Sequence, residues 1–229
     1  MDIHGRIVLW YLLGILTEEK QQSMCDSLQH LKQDMESKCP KKPSKNWRKS
    51  SEYDKNPGDC LFLAWFQLSH KKTGEAPQDS PSLHKSTPPG TGELWLQSFV
   101  ETGALMCATL RVAHPALYEQ AQEALVRVED HMDDVTVPKA WSSVFNVLSI
   151  ISNWETPVHW DCLFKAVWYD MLASVGDHND AILELTRQGR FCFKFDSGII
   201  AAFSGKLLSH GVSSYSVRGG DPGMMWNSS

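Results

Sequence analysis

The stretch SGIIAAFSGKLLSHGV, residues 197–212, carries the pattern that decides the fold. Its first half, up to Ser204, is an apolar run with the composition of a buried β-strand, and Gly205 then predicts a tight turn. The remaining residues predict a short strand that carries His210. Strand, glycine turn and strand are typical of an antiparallel sheet, so the sequence predicts a mostly β structure from about Ser142 onward.

The tripeptide His159-Trp160-Asp161, which has the pattern H-x-D, lies upstream of this stretch. It follows the apolar run 144–151, which predicts a strand. On an extended strand His159 and Asp161 point to the same face, because successive side chains alternate. Two imidazoles and one carboxylate form the facial triad that holds non-haem Fe(II) and leaves open coordination positions. With His210 as third ligand the pattern predicts an iron site; the alternative is two unconnected histidines near a turn.

The H-x-D pattern occurs three times in the chain, so the pattern alone does not choose the site. His131 lies in an acidic run after a helical pattern, which is typical of a solvated helix end. His178 lies among Gly, Asp and Asn residues that predict a turn. The β-rich run before His159 therefore favours His159 as the metal ligand.

Three longer stretches resemble the TET/J-binding-protein family of Fe(II)- and 2-oxoglutarate-dependent nucleic-acid dioxygenases, in the compact form found in mushroom-forming fungi. They are GRIVLWYLLGILTEEKQQ (5–22), FNVLSIISNWETPVHWD (145–161) and WYDMLASVGDHNDAILELTRQGRFCFKFDSGIIAAFSGKLLSHGV (168–212). The resemblance implies an α+β fold, a double-stranded β-helix or jelly roll with supporting N-terminal and central helices. We expect one dioxygenase-like domain over residues 1–229.

The same resemblance implies a chemistry and a set of metal ligands. His159, Asp161 and His210 would ligate Fe(II), and O2 and 2-oxoglutarate would be consumed, the latter giving succinate. The expected reaction is oxidation of the methyl group of 5-methylcytosine, or of thymine, in DNA. A base inside a duplex cannot reach a buried iron, so we expect it to be flipped out.

Three residues are candidates for binding 2-oxoglutarate. The resemblance implies that Arg218, eight residues past His210, pairs with the distal carboxylate of 2-oxoglutarate, since a guanidinium binds a carboxylate through two hydrogen bonds; the alternative is an arginine in a tail. Asn153 and Thr156 either hydrogen-bond the cosubstrate or shape the turn before His159, and the turn is favoured. The segment after Arg218 contains two glycines, an Asp and a Pro, a poor strand, so the last strand is expected to be missing or replaced.

Composition sets the remaining limits. With 42% apolar residues in 229 we expect a sizeable core. The six cysteines are scattered without a C-x-x-C, which predicts neither a zinc site nor a disulfide framework and favours the cytosol or nucleus. The apolar segment 7–16 is too short to span a bilayer as a helix, so it predicts a strand or turn and no membrane association.

The net charge of −5 does not indicate DNA binding, but the charge is uneven. The segment from Lys38 to Lys49 is strongly basic and contains no acid. It either grips DNA phosphates, acts as a nuclear import signal, or is a solvated loop. We expect a nuclear monomer whose partner is DNA.

The rest of the chain supplies helices and loops. Residues 17–37 predict one helix capped by Thr17, residues 60–68 a buried strand, and residues 70–92 a flexible loop. Helices are predicted at 94–113 and 116–128, and the second has an apolar stripe for packing on a sheet. A hairpin is predicted to pair 181–185 with 191–195.

Two aromatic residues near the predicted site allow two interpretations. Trp160 and Trp168 either stack on the flipped base or belong to the core, and the core is favoured. Three functions remain open: a 5-methylcytosine dioxygenase, a 2-oxoglutarate oxygenase with another substrate, and an inactive copy that at most binds metal or DNA. The third is motivated by the missing last strand.

Overall fold

The computed structural model describes residues 7–37, 58–64, 76–84, 91–152, 156–161, 165–186, 189–213, 216–217 and 224–228. The helices are α1 (Glu18–Leu28), α2 (Lys32–Ser37), α3 (Pro81–His84), α4 (Thr91–Ala113), α5 (Pro115–Glu129) and α6 (Thr136–Ala140). The strands are β1 (Leu9–Leu12), β2 (Gly58–Phe62), β3 (Val147–Ser152), β4 (Thr156–His159), β5 (Asp170–Ser174), β6 (His178–Asn179), β7 (Ile182–Thr186), β8 (Arg190–Lys194), β9 (Ile200–Phe203), β10 (Ser209–Val212), β11 (Ser216–Val217) and β12 (Met224–Ser228).

The chain divides into two compact units. One comprises residues 1–25, 35–59 and 149–229, and the other comprises residues 26–34 and 60–148. The expectation of one domain over residues 1–229 stays a prediction. In the described parts of the chain, no helix has both the length and the apolar content of a membrane span.

The strands form two main sheets. One has six strands in the order β1-β9-β5-β12-β3-β2, and the other has four in the order β4-β10-β7-β8. The predicted hairpin is confirmed: β7 pairs antiparallel with β8, with Leu183 opposite Phe193 and Leu185 opposite Phe191. The glycine-turn stretch is also confirmed, because β9 and β10 flank a turn at Gly205.

Both sheets supply side chains to one apolar core. Along β7, Leu183 and Leu185 are buried and their neighbours only partly so, which is the period of two expected of a strand with one inward face. β9 is buried at all four positions. The core consists of Leu172, Ala181, Leu183, Leu185, Phe195, Ile199, Ala201, Phe203 and Val212.

The expectation of a missing last strand is wrong. Met224–Ser228 forms β12, which lies between β5 and β3 in the six-stranded sheet and pairs antiparallel with both. Trp226 stands opposite Ala173 on one side and Ile150 on the other. The glycines and the proline precede this strand rather than lie within it, and two neighbouring strands satisfy its backbone, so an unusual sequence is accommodated there.

The second unit contains an aromatic core on α4. Trp95 is fully buried and stacks on Phe99 with ring centroids 4.7 Å apart, and Trp141 packs against both rings. The helices predicted at 94–113 and 116–128 are confirmed as α4 and α5. His114 caps α5 by accepting the Leu117 N–H at Nδ1, 3.2 Å away.

Several local predictions need correction. The predicted buried face of α5 is wrong, because no residue of α5 is buried; among the described residues its main partner is α4. The helix predicted over 17–37 breaks into α1 and α2, because residues 29–31 make i→i+3 bonds that bury both Leu28 and Leu31. Thr17 does cap α1, since its Oγ1 accepts the Lys20 N–H at 3.2 Å.

Part of the predicted flexible loop 70–92 is ordered. Residues 76–84 contain α3, and α4 begins at Thr91. Ser80 explains this order, because its Oγ accepts the Phe62 N–H and its N–H donates to the Phe62 carbonyl, both at 2.9 Å. The predicted strand 60–68 is β2, which ends at Phe62 because Ser80 takes over its backbone bonds; residues 65–70 lie outside the described residues.

Candidate metal centre

Two neighbouring strands bring the imidazoles of His159 and His210 together. β4 and β10 pair antiparallel with His159 directly opposite His210, and the two ring centroids lie 4.3 Å apart. The register shifts between His210 and Val212, which pairs with Thr156, so β4 carries one extra residue there. β4 is an edge strand, and this position tolerates Pro157, which has no N–H to donate.

Asp161 completes the cluster just after β4 ends. Its backbone N–H donates to the Gly205 carbonyl at 3.2 Å, which ties it to the turn after β9. Its Oδ1 lies 3.8 Å from His159 Nε2, and its Oδ2 lies 3.5 Å from His210 Nε2. Within the described residues this is the one group of three or more metal-binding side chains, with ligand atoms within 4.8 Å of one another.

The hydrogen bonds of both rings determine which nitrogen faces the carboxylate. His159 Nδ1 lies 2.9 Å from the Pro157 carbonyl, and His210 Nδ1 lies 3.3 Å from the Leu208 carbonyl. A carbonyl only accepts, so each Nδ1 carries a hydrogen, and a neutral ring then has its lone pair on Nε2. Two lone pairs and a carboxylate repel one another unless a cation or added protons lie among them. Two Nε2 atoms and one carboxylate thus fit a divalent metal ion. The backbone carbonyls bonded to Nδ1 orient the two rings, as carbonyls do for histidine ligands in metal sites.

The cluster is enclosed on one side and open on the other. His210 is 3% exposed, and Phe203 packs edge-on against its ring at 5.0 Å between centroids. The side chains of His159 and Asp161 are 21% and 22% exposed. A metal ion held here by three protein ligands would therefore keep a solvent-facing side for further ligands, as the facial triad of oxygenases does.

Gly205 and Asp170 lie directly behind the cluster. A Cβ at Gly205 would be 2.5 Å from Asp170 Oδ2, 3.1 Å from His210 Cε1 and closer still to Asp161 Oδ2. The Gly205 N–H donates to Asp170 Oδ2 at 2.9 Å. Burial and, to a lesser extent, the nearby Asp161 raise the pKa of Asp170 to about 7, against the lowering effect of the Gly205 N–H. Sequence reasoning missed Asp170; the signal was an acid at the start of the buried strand DMLAS.

The other predicted site residues are only partly described. Thr156 is partly buried at the start of β4, opposite Val212. Asn153, Arg218 and the basic segment Lys38–Lys49 lie outside the described residues, so their roles stay predictions.

The other two H-x-D histidines lie elsewhere in the fold. His131 is exposed just after α5 ends, as predicted for a solvated helix end. His178 is 2% exposed, begins β6, and its Nε2 lies 2.8 Å from Ser174 Oγ and 3.3 Å from the Phe195 carbonyl. The turn predicted around it is seen at Gly176, whose φ of 115° suits glycine.

The core interpretation of the two tryptophans is wrong. Trp160 is 60% exposed and Trp168 is 40% exposed. Trp160 stands between His159 and Asp161, so side-chain alternation turns it away from the ligands and toward solvent. The Lys165 ammonium lies 5.3 Å from the centre of the Trp168 ring, a cation–π distance.

Sequence comparisons find no relative: no protein-family model matches the chain, and no curated protein matches it. Comparison of structures finds proteins with a similar fold. NgTET1 in complex with 5mC DNA superposes with a TM-score of 0.59 at 14% identity, covering 99% of this chain and 73% of that one. OsALKBH1 superposes with a TM-score of 0.53 at 13% identity, covering 97% and 98%. The chain has a double-stranded β-helix fold. This confirms the predicted α+β jelly-roll class, and identities this low carry the likeness no further than the fold.

Proposed function

We propose that this protein is an Fe(II)- and 2-oxoglutarate-dependent dioxygenase that oxidises the methyl group of 5-methylcytosine in DNA. The observation that carries the proposal is the cluster of His159, Asp161 and His210, in which backbone carbonyls orient both Nε2 atoms toward one carboxylate. The double-stranded β-helix fold around the cluster supports it. Bound Fe(II) and 2-oxoglutarate would supply the activation of O2.

The chain's own residues would hold and shield this centre. His159 and His210 would bind the ion through Nε2, and the Asp161 carboxylate would be its third ligand. Phe203 and the buried β9 keep water from the His210 side. Arg218 would pair with the distal carboxylate of 2-oxoglutarate, and Asn153 and Thr156 would hydrogen-bond the cosubstrate.

The choice of substrate rests on two lines of support. The sequence resembles the TET/J-binding-protein family, and one structural neighbour is NgTET1 in complex with 5mC DNA. The basic segment Lys38–Lys49 would contact DNA phosphates, and the methylated base would leave the stack to reach the metal. We further propose that the protein acts as a monomer in the nucleus.

Mass spectrometry tests this proposal directly. The purified chain is incubated with a 5-methylcytosine duplex, Fe(II), 2-oxoglutarate and ascorbate in air, and nucleosides and succinate are quantified. We expect oxidised methylcytosine and succinate from the wild type and from His131→Ala, and neither from His159→Ala. His131→Ala is the matched control, because it removes an exposed histidine from another H-x-D pattern.

The other outcomes separate the alternatives. Succinate without oxidised methylcytosine, together with turnover of another methylated nucleoside or of protein, would indicate an oxygenase with a different substrate. Succinate equal to that of His159→Ala would contradict the proposal and support an inactive copy. The missing strand that motivated the inactive copy is present as β12.

A further inference from the structure

Asp170 is a buried acid to which the proposed chemistry assigns no role. It begins β5, is 6% exposed, and stands opposite Phe203 in the β5–β9 pairing. Gly205 follows Phe203 by two residues, just past the end of β9. The register therefore places the Asp170 carboxylate beneath the turn that leads from β9 to His210.

Two hydrogen bonds connect this carboxylate to a metal ligand. Asp170 Oδ2 accepts the Gly205 N–H at 2.9 Å, and the Gly205 carbonyl accepts the Asp161 N–H at 3.2 Å. Gly205 is thus held at its N–H by Asp170 and holds Asp161 at its carbonyl. The path from Asp170 to Asp161 is short: one side-chain oxygen, the N–H and carbonyl of Gly205, and the Asp161 N–H.

We propose that Asp170 is a positioning residue of the metal centre, which sets the place of Asp161 through the backbone of Gly205. This inference rests on the proposed function, since it assumes that Asp161 is a metal ligand. The Oδ2 oxygen supplies the acceptor that the Gly205 N–H needs, because a buried backbone N–H left without an acceptor is costly. Groups that orient ligands in this way typically change metal affinity about 10–100-fold when they are removed.

Gly205 shows how little room the arrangement leaves. The place that a Cβ would occupy there is 2.5 Å from Asp170 Oδ2, closer to Asp161 Oδ2, and 3.1 Å from His210 Cε1. Two ligands and the positioning carboxylate therefore surround one glycine. A shift of the Gly205 peptide would be passed to Asp161 and to the His210 side of the site together.

The test compares two substitutions at one position. Asp170→Asn keeps an oxygen that can accept the Gly205 N–H, whereas Asp170→Leu has the same number of side-chain heavy atoms, branched at the same carbon, and no acceptor. Isothermal titration with Mn(II), which resists oxidation, gives metal affinity, and hydrogen exchange of the metal-free chain reports the Gly205 and Asp161 amides. We expect Asp170→Leu to bind Mn(II) about 10–100-fold more weakly and to exchange both amides about tenfold faster or more. Asp170→Asn should stay within about threefold of the wild type in both measurements.

Each other result overturns the inference. Wild-type affinity and exchange in Asp170→Leu would show that the carboxylate positions nothing. Equal losses in Asp170→Asn and Asp170→Leu would show that the hydrogen bond is not what matters. If neither variant folds, an unprotected Gly205 amide in the wild type would refute the bond directly.

Failure of the proposed function gives a different result. If the wild type binds no Mn(II) or Fe(II), the metal proposal fails. The exchange data on the metal-free chain still decide whether Asp170 holds the Gly205 peptide and Asp161.

Discussion

Replacing Gly205 by alanine adds one methyl group behind the metal centre and changes little else. Gly14, Gly176 and Gly198 have a positive φ, which favours glycine, but Gly205 does not. Any effect of Gly205→Ala must therefore come from the space that the new Cβ occupies. That space is bordered by Asp161, Asp170 and His210.

The size of the expected effect follows from the distances. A Cβ would lie 2.5 Å from Asp170 Oδ2, and ordinary contact begins at 3.4 Å, so that oxygen must retreat by about 0.9 Å. Asp161 Oδ2 must move further, whereas metal–ligand distances tolerate about 0.2 Å. We expect overpacking to cost about 1–3 kcal/mol of the free energy of unfolding. Metal affinity should fall about 10–100-fold or more.

The assay is Mn(II) titration calorimetry combined with urea unfolding. Gly189→Ala is the matched control, because a Cβ there meets only Phe191 Cε2 at 4.0 Å. Gly189→Ala should bind metal as the wild type does. Mn(II) affinity within about twofold of the wild type in a folded Gly205→Ala would refute the reasoning, since no ligand could then have been displaced.

Two further predictions concern stability. Burial lowers the pKa of His178 below 6.5, although the Phe195 carbonyl, Asp196 and Asp177 act to raise it. His178 therefore binds a proton more readily in the unfolded chain than in the folded chain. The contribution of His178 to the free energy of unfolding should therefore fall as the pH drops below about 6.5, whereas Asp170, whose pKa is raised, contributes in the opposite direction. Relative to the urea midpoint at pH 7.5, the midpoint at pH 5.5 should be higher in His178→Asn than in the wild type; an unchanged pH dependence would contradict this. Trp160→Ala should change the free energy of unfolding by less than about 0.5 kcal/mol, whereas Trp95→Ala should lower it by about 3–5 kcal/mol. Similar urea midpoints for the two variants would contradict the exposure of Trp160 and the burial of Trp95.

Local patterns account for the parts of the fold that were predicted correctly. β7 and β8 are consecutive in the chain and pair in one sheet, and β9 and β10 flank the turn at Gly205 although they belong to different sheets. Alternation and turn residues suffice to predict both features. The helix that begins at Pro115 was predicted because proline suits a first turn. These are interactions between residues close in sequence.

Distant pairing explains what the sequence could not show. β12 is stabilised on both sides by strands far away in the chain, and its own residues carry little strand signal. Trp160 looked like a core residue by composition, but its exposure follows from alternation between two inward-facing ligands. The apolar stripe on α5 predicted a buried face, but periodicity alone cannot say whether another element packs against that face.

The candidate site also contains residues that local patterns predicted and one residue that only distant pairing brings into place. H-x-D and the strand before it indicated His159 and Asp161, and the glycine turn indicated His210. The sequence marked Asp170 only as an acid that begins a buried strand, because it is the register of β5 against β9 that brings it beneath Gly205. That register depends on the packing of the sheet rather than on any local motif.

The central claim is that His159, Asp161 and His210 hold one Fe(II), and anaerobic equilibrium dialysis of Fe(II) tests it most directly. We expect one Fe(II) per chain in the wild type and in His131→Ala, and affinity lowered by at least about 100-fold in Asp161→Ala and His210→Ala. A folded wild type that binds no Fe(II), or variants of the three residues that bind it as tightly as the wild type, would contradict the claim.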